Sequence, residues 1–135
     1  MSKILIITKS NINIGTGHIT RSNTIYQDLK KYFHTKIIFN ENKKIYSKYD
    51  ILIFDLPNYK NFLKNYVYKE QKIICLDYNG KYEIDLNFSS VKKSKYAKKN
   101  SCSIKNIIIP KIKLKTKKKK LYSFIIGRVR PKKLY

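Results

Sequence analysis

The sequence predicts an α/β fold organised around a parallel sheet. Apolar runs of strand length recur along the first 90 residues, and segments of helical periodicity lie between several of them. This alternation is typical of βα units, in which each connection returns the chain for another parallel strand. The length of 135 residues, with 42% hydrophobic side chains, is sufficient for about one compact domain with its own core.

The first strand is expected at residues 3–8 (KILIIT), a continuous apolar run. A polar loop containing two glycines follows at residues 9–18, and an amphipathic helix is predicted at residues 20–33. Pro57 and Asn58 begin a second predicted helix, because the apolar residues after them recur at helical spacing. These residues are Tyr59, Phe62, Leu63, Tyr66 and Val67. The remaining strands are predicted at residues 36–39, 50–54, 72–76 and 84–88.

The pattern weakens after residue 90, where a short helix is predicted at residues 92–99 and a short strand at residues 107–109. A first domain is therefore expected to cover residues 1–110, followed by a lysine-rich linker at residues 111–120.

Residues 121–135 have a different character. They begin with LYSFIIG, the pattern of a strand and glycine turn that open a Rossmann-like unit. Only eight residues follow Gly127, too few for the crossover and further strands of such a unit. We therefore expect the sequence to stop at the start of a second domain.

The net charge of +23 is unevenly distributed along the chain. Residues 1–90 carry 14 basic and all 8 acidic side chains, whereas residues 91–135 carry 17 basic and no acidic ones. Such a basic region can bind nucleic acid or an acidic membrane surface. However, 28 of the 31 basic residues are lysine, and specific phosphate recognition usually relies on arginine. We therefore favour a solvated surface and expect no specific recognition of nucleic acid.

Cysteine and histidine spacing gives no indication of a metal site. Cys75 and Cys102 lie far apart, and His18 and His34 do not complete a zinc-ligand pattern with them. The sequence shows no signal-peptide pattern and no apolar stretch near the ~20 residues that cross a bilayer. A reduced, cytoplasmic protein without a membrane span is expected.

The segment with the most chemical information is NIGTGHITRS, residues 13–22. It follows the first strand and leads into the first helix, a position where α/β folds bind ligands. Gly15 and Gly17 permit unusual backbone conformations, and the start of the helix favours electron-rich groups. His18 can act as a general acid or base near neutral pH. The segment is neither a complete GxGxxG motif nor a P-loop.

With the histidine and arginine included, the pattern G-x-G-H-x-x-R resembles the first loop of a known family. This family contains the UDP-sugar hydrolases of pseudaminic-acid biosynthesis and related spore-coat polysaccharide proteins. The segments YDILIFDLPNYKNFLK and KIICLDYNGKYEIDLNFS are similar to its next strands, each of which ends in an aspartate. The loop more distantly resembles that of the lipid-II-forming N-acetylglucosaminyltransferases. In total, the resemblance covers roughly residues 3–90.

The resemblance implies an α/β, Rossmann-like parallel sheet that forms the N-terminal half of a glycosyltransferase-B-type fold, truncated at the start of its second domain. It also implies that the missing domain would bind the nucleotide. The family has a pair of glycines in the turn that opens that domain, whereas here Arg128 follows Gly127.

The activity that the resemblance implies is hydrolysis of a UDP-linked amino sugar in nonulosonic-acid or surface-polysaccharide biosynthesis. Water attacks the anomeric carbon with inversion, and UDP is released. His18 matches the catalytic histidine of the family. The positions that match its substrate-binding residues are Gly15, Thr16, Gly17, Arg21, Asp55 and Asp77. The implied partners are the UDP-linked amino sugar and a separate chain that carries the nucleotide-binding half, so little activity is expected from this chain alone.

No cofactor or metal is implied, because the sequence has no DxD motif and this fold type does not depend on a bound metal. Structural roles stay open for each site residue. His18 could cap the helix, Arg21 could pair only with a carboxylate such as Asp55, and Asp55 and Asp77 could cap helices or turns. Two other functions also stay open: the acceptor-side domain of a glycosyltransferase, and a small basic nucleic-acid-binding or scaffold protein.

Overall fold

The computed structural model describes residues 1–9, 17–40, 43–60 and 70–103. These residues form six strands and two helices. In chain order they are β1 (Lys3–Thr8), α1 (Gly17–Leu29), β2 (His34–Ile38), α2 (Lys43–Tyr46), β3 (Ile51–Asp55), β4 (Lys72–Leu76), β5 (Ile84–Ser89) and β6 (Ala97–Cys102).

All six strands belong to one parallel sheet with the order β2-β1-β3-β4-β5-β6. The chain leaves β1 toward β2 on one side and then crosses to β3 on the other side of β1. In open α/β sheets this reversal separates the loops at the carboxyl ends of the two central strands, which creates a position for a ligand. The arrangement confirms the predicted α/β, Rossmann-like parallel sheet.

The two faces of the sheet are covered by different elements. Ile4 and Ile6 of β1, together with Ile53 of β3, pack against the apolar side of α1. The opposite face carries the larger core, which includes Leu5, Ile7, Tyr46, Leu52, Phe54 and Tyr59. Because strand side chains alternate between faces, Thr8 and Asp55 continue the α1 face at the carboxyl ends of β1 and β3. The fold therefore places two polar side chains beneath the start of α1.

The last three strands are joined by short connections, which a buried asparagine supports. Asn87 of β5 is fully buried; its Oδ1 accepts from Tyr78 N (3.0 Å), and its Nδ2 donates to Lys92 O (2.9 Å) and Asn100 Oδ1 (3.0 Å). Two of these bonds satisfy backbone groups in the connections before and after β5, and the bond to the Asn100 side chain links β5 to β6.

The helix predicted at residues 92–99 is wrong. Residues 97–102 form strand β6, with Ala97 opposite Ile84 and Asn100 opposite Asn87 in the ladder with β5. The lysines of this segment have a weak helix preference of a few tenths of a kcal/mol per residue. Pairing with β5 provides a ladder of backbone hydrogen bonds that outweighs that preference.

The strand predictions agree closely with the structure. The predicted bounds of β1 and β4 are the observed ones, and those of β2, β3 and β5 differ by one or two residues. Helix α1 begins at Gly17 and ends at Leu29, earlier at both ends than predicted, and α2 was not predicted. Most of the predicted second helix, the strand at 107–109, the linker at 111–120 and the segment 121–135 lie outside the described residues.

Tyr59 links the ends of β3 and β4 through its buried hydroxyl group. The hydroxyl lies 2.8 Å from Phe54 O and 2.7 Å from Leu76 O, and it accepts a hydrogen bond from Leu56 N at 3.1 Å. Burial raises the pKa of Tyr59 well above its usual value, so the group stays protonated and can donate.

We expect Tyr59→Phe to lower the free energy of unfolding by about 1–3 kcal/mol, because it leaves buried backbone groups without their partner. Urea denaturation measures this change. Tyr32→Phe is the matched control, since Tyr32 is 72% exposed. An equal effect of the two substitutions would contradict the linking role of Tyr59.

Candidate functional site

The first turns of α1 bring three polar side chains over the carboxyl ends of the central strands. His18, Arg21 and Ser22 are spaced at i, i+3 and i+4, so they share one side of the helix. Gly17 precedes them, and a Cβ built there would meet nothing within 4 Å. Packing among the described residues therefore does not require glycine at position 17.

Asp55, at the end of β3, is the centre of the site. It is completely buried and accepts four hydrogen bonds. Its Oδ1 accepts from His18 Nδ1 at 2.7 Å and from Arg21 Nη2. Its Oδ2 accepts from Arg21 Nε and Ser22 Oγ, each at 3.0 Å. These bonds use the acceptor capacity of the carboxylate, so Asp55 holds its neighbours in place.

Arg21 joins Asp55 to the end of β4. Its Nη1 donates to Asp77 Oδ2 at 2.6 Å, while Nε and Nη2 face Asp55. Burial acts to lower the pKa of Arg21, but the hydrogen bonds and charges of the two carboxylates outweigh it and raise the pKa above its usual value. Arg21 is therefore a permanent cation, and its side chain is 23% exposed.

Asp77 is the accessible carboxylate of this cluster, with 48% of its side chain exposed. It follows β4 with φ of 50°, in the left-handed region that aspartate tolerates better than most residues. Its backbone N donates to Phe88 O at 3.0 Å, and its Oδ1 accepts from Ser89 Oγ at 2.8 Å. The turn is thereby fixed, and the Asp77 carboxylate is held beside Arg21.

The pKa of Asp77 is lowered in the folded chain. Partial burial acts to raise it, but hydrogen bonds from Arg21 and Ser89 and the charge of Arg21 have the larger combined effect. Because the folded pKa lies below the unfolded one, ionised Asp77 stabilises the fold above about pH 4, the ordinary aspartate pKa. This contribution is lost as the pH falls through the lower, folded pKa.

We expect Asp77→Asn to reduce the loss of stability on acidification below about pH 4, because the substituted side chain does not titrate there. Urea denaturation at a series of pH values measures the slope. Asp28→Asn is the control, since Asp28 lies in an exposed pair with Lys31 at 3.2 Å. An unchanged slope in Asp77→Asn would contradict the link between Asp77 ionisation and folding.

The hydrogen-bonding pattern assigns the proton on the His18 ring. Asp55 also receives two bonds from Arg21, so it acts as an acceptor, and His18 Nδ1 must carry the hydrogen that lies between them. In neutral His18 the lone pair is then on Nε2. The His18 side chain is 25% exposed, so the ring is partly accessible to solvent. A histidine held in this way by a buried carboxylate can accept a proton from water or a hydroxyl group.

The structure brings together four of the residues that the sequence singled out: His18, Arg21, Asp55 and Asp77. Gly15 and Thr16 lie outside the described residues. Sequence reasoning did not identify Ser22 and Ser89, which hold the two carboxylates. The sequence held a partial signal for both, since Ser22 is four residues after His18 in the predicted helix and Ser89 directly follows the predicted strand at residues 84–88.

Comparisons of this chain with protein-family models, curated proteins and solved structures find no significant match. None of the helices described is both long and apolar enough to cross a membrane. Among the described residues, no group of three or more His, Cys, Asp or Glu side chains is arranged to hold a metal ion.

Proposed function

We propose that this site is the water-activating centre of a UDP-amino-sugar hydrolase, on the sugar side of a glycosyltransferase-B-type fold. The observation that carries the proposal is the hydrogen bond of 2.7 Å between His18 Nδ1 and the buried Asp55. It leaves Nε2 of neutral His18 as a base at the carboxyl end of the sheet. The resemblance of the loop around His18 supplies the substrate class.

In the proposed reaction, His18 Nε2 takes a proton from water while the water oxygen bonds to the anomeric carbon. The bond from that carbon to the diphosphate oxygen breaks, and UDP leaves with the electron pair. Asp55 stabilises the imidazolium that forms and keeps the ring in the orientation that directs Nε2 to the water. The product is the free amino sugar with inverted configuration.

The net negative charge of the cluster supports a position of the cluster beside the sugar and not beside the diphosphate. Asp55 and Asp77 contribute two negative charges, against one positive charge from Arg21 when His18 is neutral. This excess disfavours the diphosphate and favours the positive charge that develops on the sugar ring in an oxocarbenium-like transition state. We therefore expect the diphosphate to be bound by residues outside those described or by a separate nucleotide-binding chain.

An assay of UDP release tests the proposal. The chain is incubated with a UDP-linked diacetamido sugar, alone and with the nucleotide-binding domain of a glycosyltransferase-B-type hydrolase, and without any acceptor. UDP release in either sample supports hydrolysis. A further sample contains an acceptor sugar, and release only in that sample would show that the reaction is glycosyl transfer and not hydrolysis. No release in any sample would overturn the proposal.

A further inference from the structure

Thr8 is the last residue of β1, and its side chain is completely buried. Its register partner on the neighbouring strand is Asp55. Both residues continue the face of the sheet that packs against α1, because they follow Ile6 and Ile53 at a spacing of two. Neighbouring strands are about 4.8 Å apart, so Thr8 lies next to the carboxylate that holds His18.

Two buried hydroxyl groups on this side of the sheet differ in their hydrogen bonding. Ser22 Oγ donates to Asp55 Oδ2 at 3.0 Å. Within the part of the chain that the structure describes, Thr8 Oγ1 has no hydrogen-bond partner. A buried hydroxyl without a partner loses its bonds to water and destabilises the fold, so such groups are rare and call for an explanation.

We propose that Thr8 is a ligand-binding residue of this site, and that its hydroxyl bonds to a neutral oxygen of the hydroxyl class. The oxygen is either the attacking water or a hydroxyl group of the sugar. A threonine hydroxyl matches this class because it both donates and accepts. A phosphate oxygen does not match, because the neighbouring cluster has an excess of negative charge. The inference rests on the proposed function for its ligand.

Thr8→Val tests the inference, because valine keeps the shape of the side chain and removes the hydroxyl. Without ligand, we expect the urea midpoint of Thr8→Val to equal or exceed that of the wild type, since no hydrogen bond is lost. Ser22→Ala should lower the midpoint, because it removes a bond to Asp55. Thr8→Ser, which keeps the hydroxyl, should retain UDP release.

With substrate, Thr8→Val should lower kcat/KM for UDP release by about 2- to 10-fold, the equivalent of one neutral hydrogen bond. A decrease in kcat at constant KM would assign the oxygen to the attacking water. An increase in KM at constant kcat would assign it to a sugar hydroxyl bound equally in ground and transition states. Unchanged kinetic constants would overturn the inference.

The stability measurement separates this inference from the proposed function. If Thr8→Val destabilises the chain as much as Ser22→Ala does, the hydroxyl is paired within the protein and the inference is wrong. If the wild type releases no UDP, the proposed function fails, and a crystal structure of the free chain decides on Thr8. A hydroxyl of Thr8 with no protein partner in that structure would support the inference, and a hydrogen bond from Thr8 Oγ1 to a protein group would overturn it.

Discussion

His18→Ala should lower UDP release by about 10²–10⁴-fold, the usual contribution of a positioned general base. Alanine removes the imidazole, which is both the proton acceptor and the group that Asp55 orients. The loss should appear in kcat more than in KM, because the proton is transferred in the transition state. The measurement is the steady-state rate with a UDP-linked diacetamido sugar, under the condition in which the wild type releases UDP.

His34→Ala is the matched control for this experiment. His34 is the only other histidine of the chain, and it is exposed at the first residue of β2, on the strand next to β1. Its removal should leave the rate unchanged. If His18→Ala retained the wild-type rate, His18 would be excluded from the mechanism, whatever the hydrogen bond to Asp55 does for the fold.

The sheet could be predicted because its inner strands are continuous apolar runs. The segments KILIIT and KIICL are short and rich in β-branched isoleucine, which favours a buried strand over a helix, and the structure has β1 and β4 at the predicted bounds. Strand β6 could not be predicted in this way. Its sequence, AKKNSC, has little apolar content, and its strand conformation depends on pairing with β5. That information lies in the tertiary structure.

The proximity of the site residues follows partly from topology. Parallel strands end at the same edge of a sheet, so Asp55 and Asp77, at the ends of β3 and β4, are expected near a loop that follows β1. The difference between the two carboxylates could not be predicted. Asp55 is completely buried with four donors, whereas Asp77 is half exposed, and this difference arises from how α1 covers the sheet. The burial of the Thr8 hydroxyl, which has no hydrogen-bond partner among the described residues, could not be predicted either.

Asp55 should be the residue of the site whose removal affects stability most. Asp55→Ala leaves the donors of Arg21, His18 and Ser22 without their shared acceptor in a buried position. Breaking a buried ion pair from one side costs about 3–5 kcal/mol. Arg21 keeps its bond to Asp77 and is 23% exposed, so we expect a loss near the lower end, about 3 kcal/mol. Urea denaturation with an unchanged m value measures this loss.

Comparing Asp55→Ala with Asp77→Ala separates the effect of burial from the effect of removing a carboxylate charge. Asp77→Ala removes a carboxylate that pairs with the same guanidinium, but the Asp77 side chain is 48% exposed, and exposed ion pairs contribute about 0–1 kcal/mol. Asp55→Asn provides a second variant in case Asp55→Ala does not fold, because it keeps the side-chain volume while its amide group can accept only at one atom. If Asp55→Ala and Asp77→Ala lowered the free energy of unfolding equally, burial would add nothing to the contribution of the four hydrogen bonds of Asp55. In that case the support that Asp55 gives to His18 would be no stronger than that of a surface carboxylate, and the assignment of His18 as a held base would lose its physical foundation.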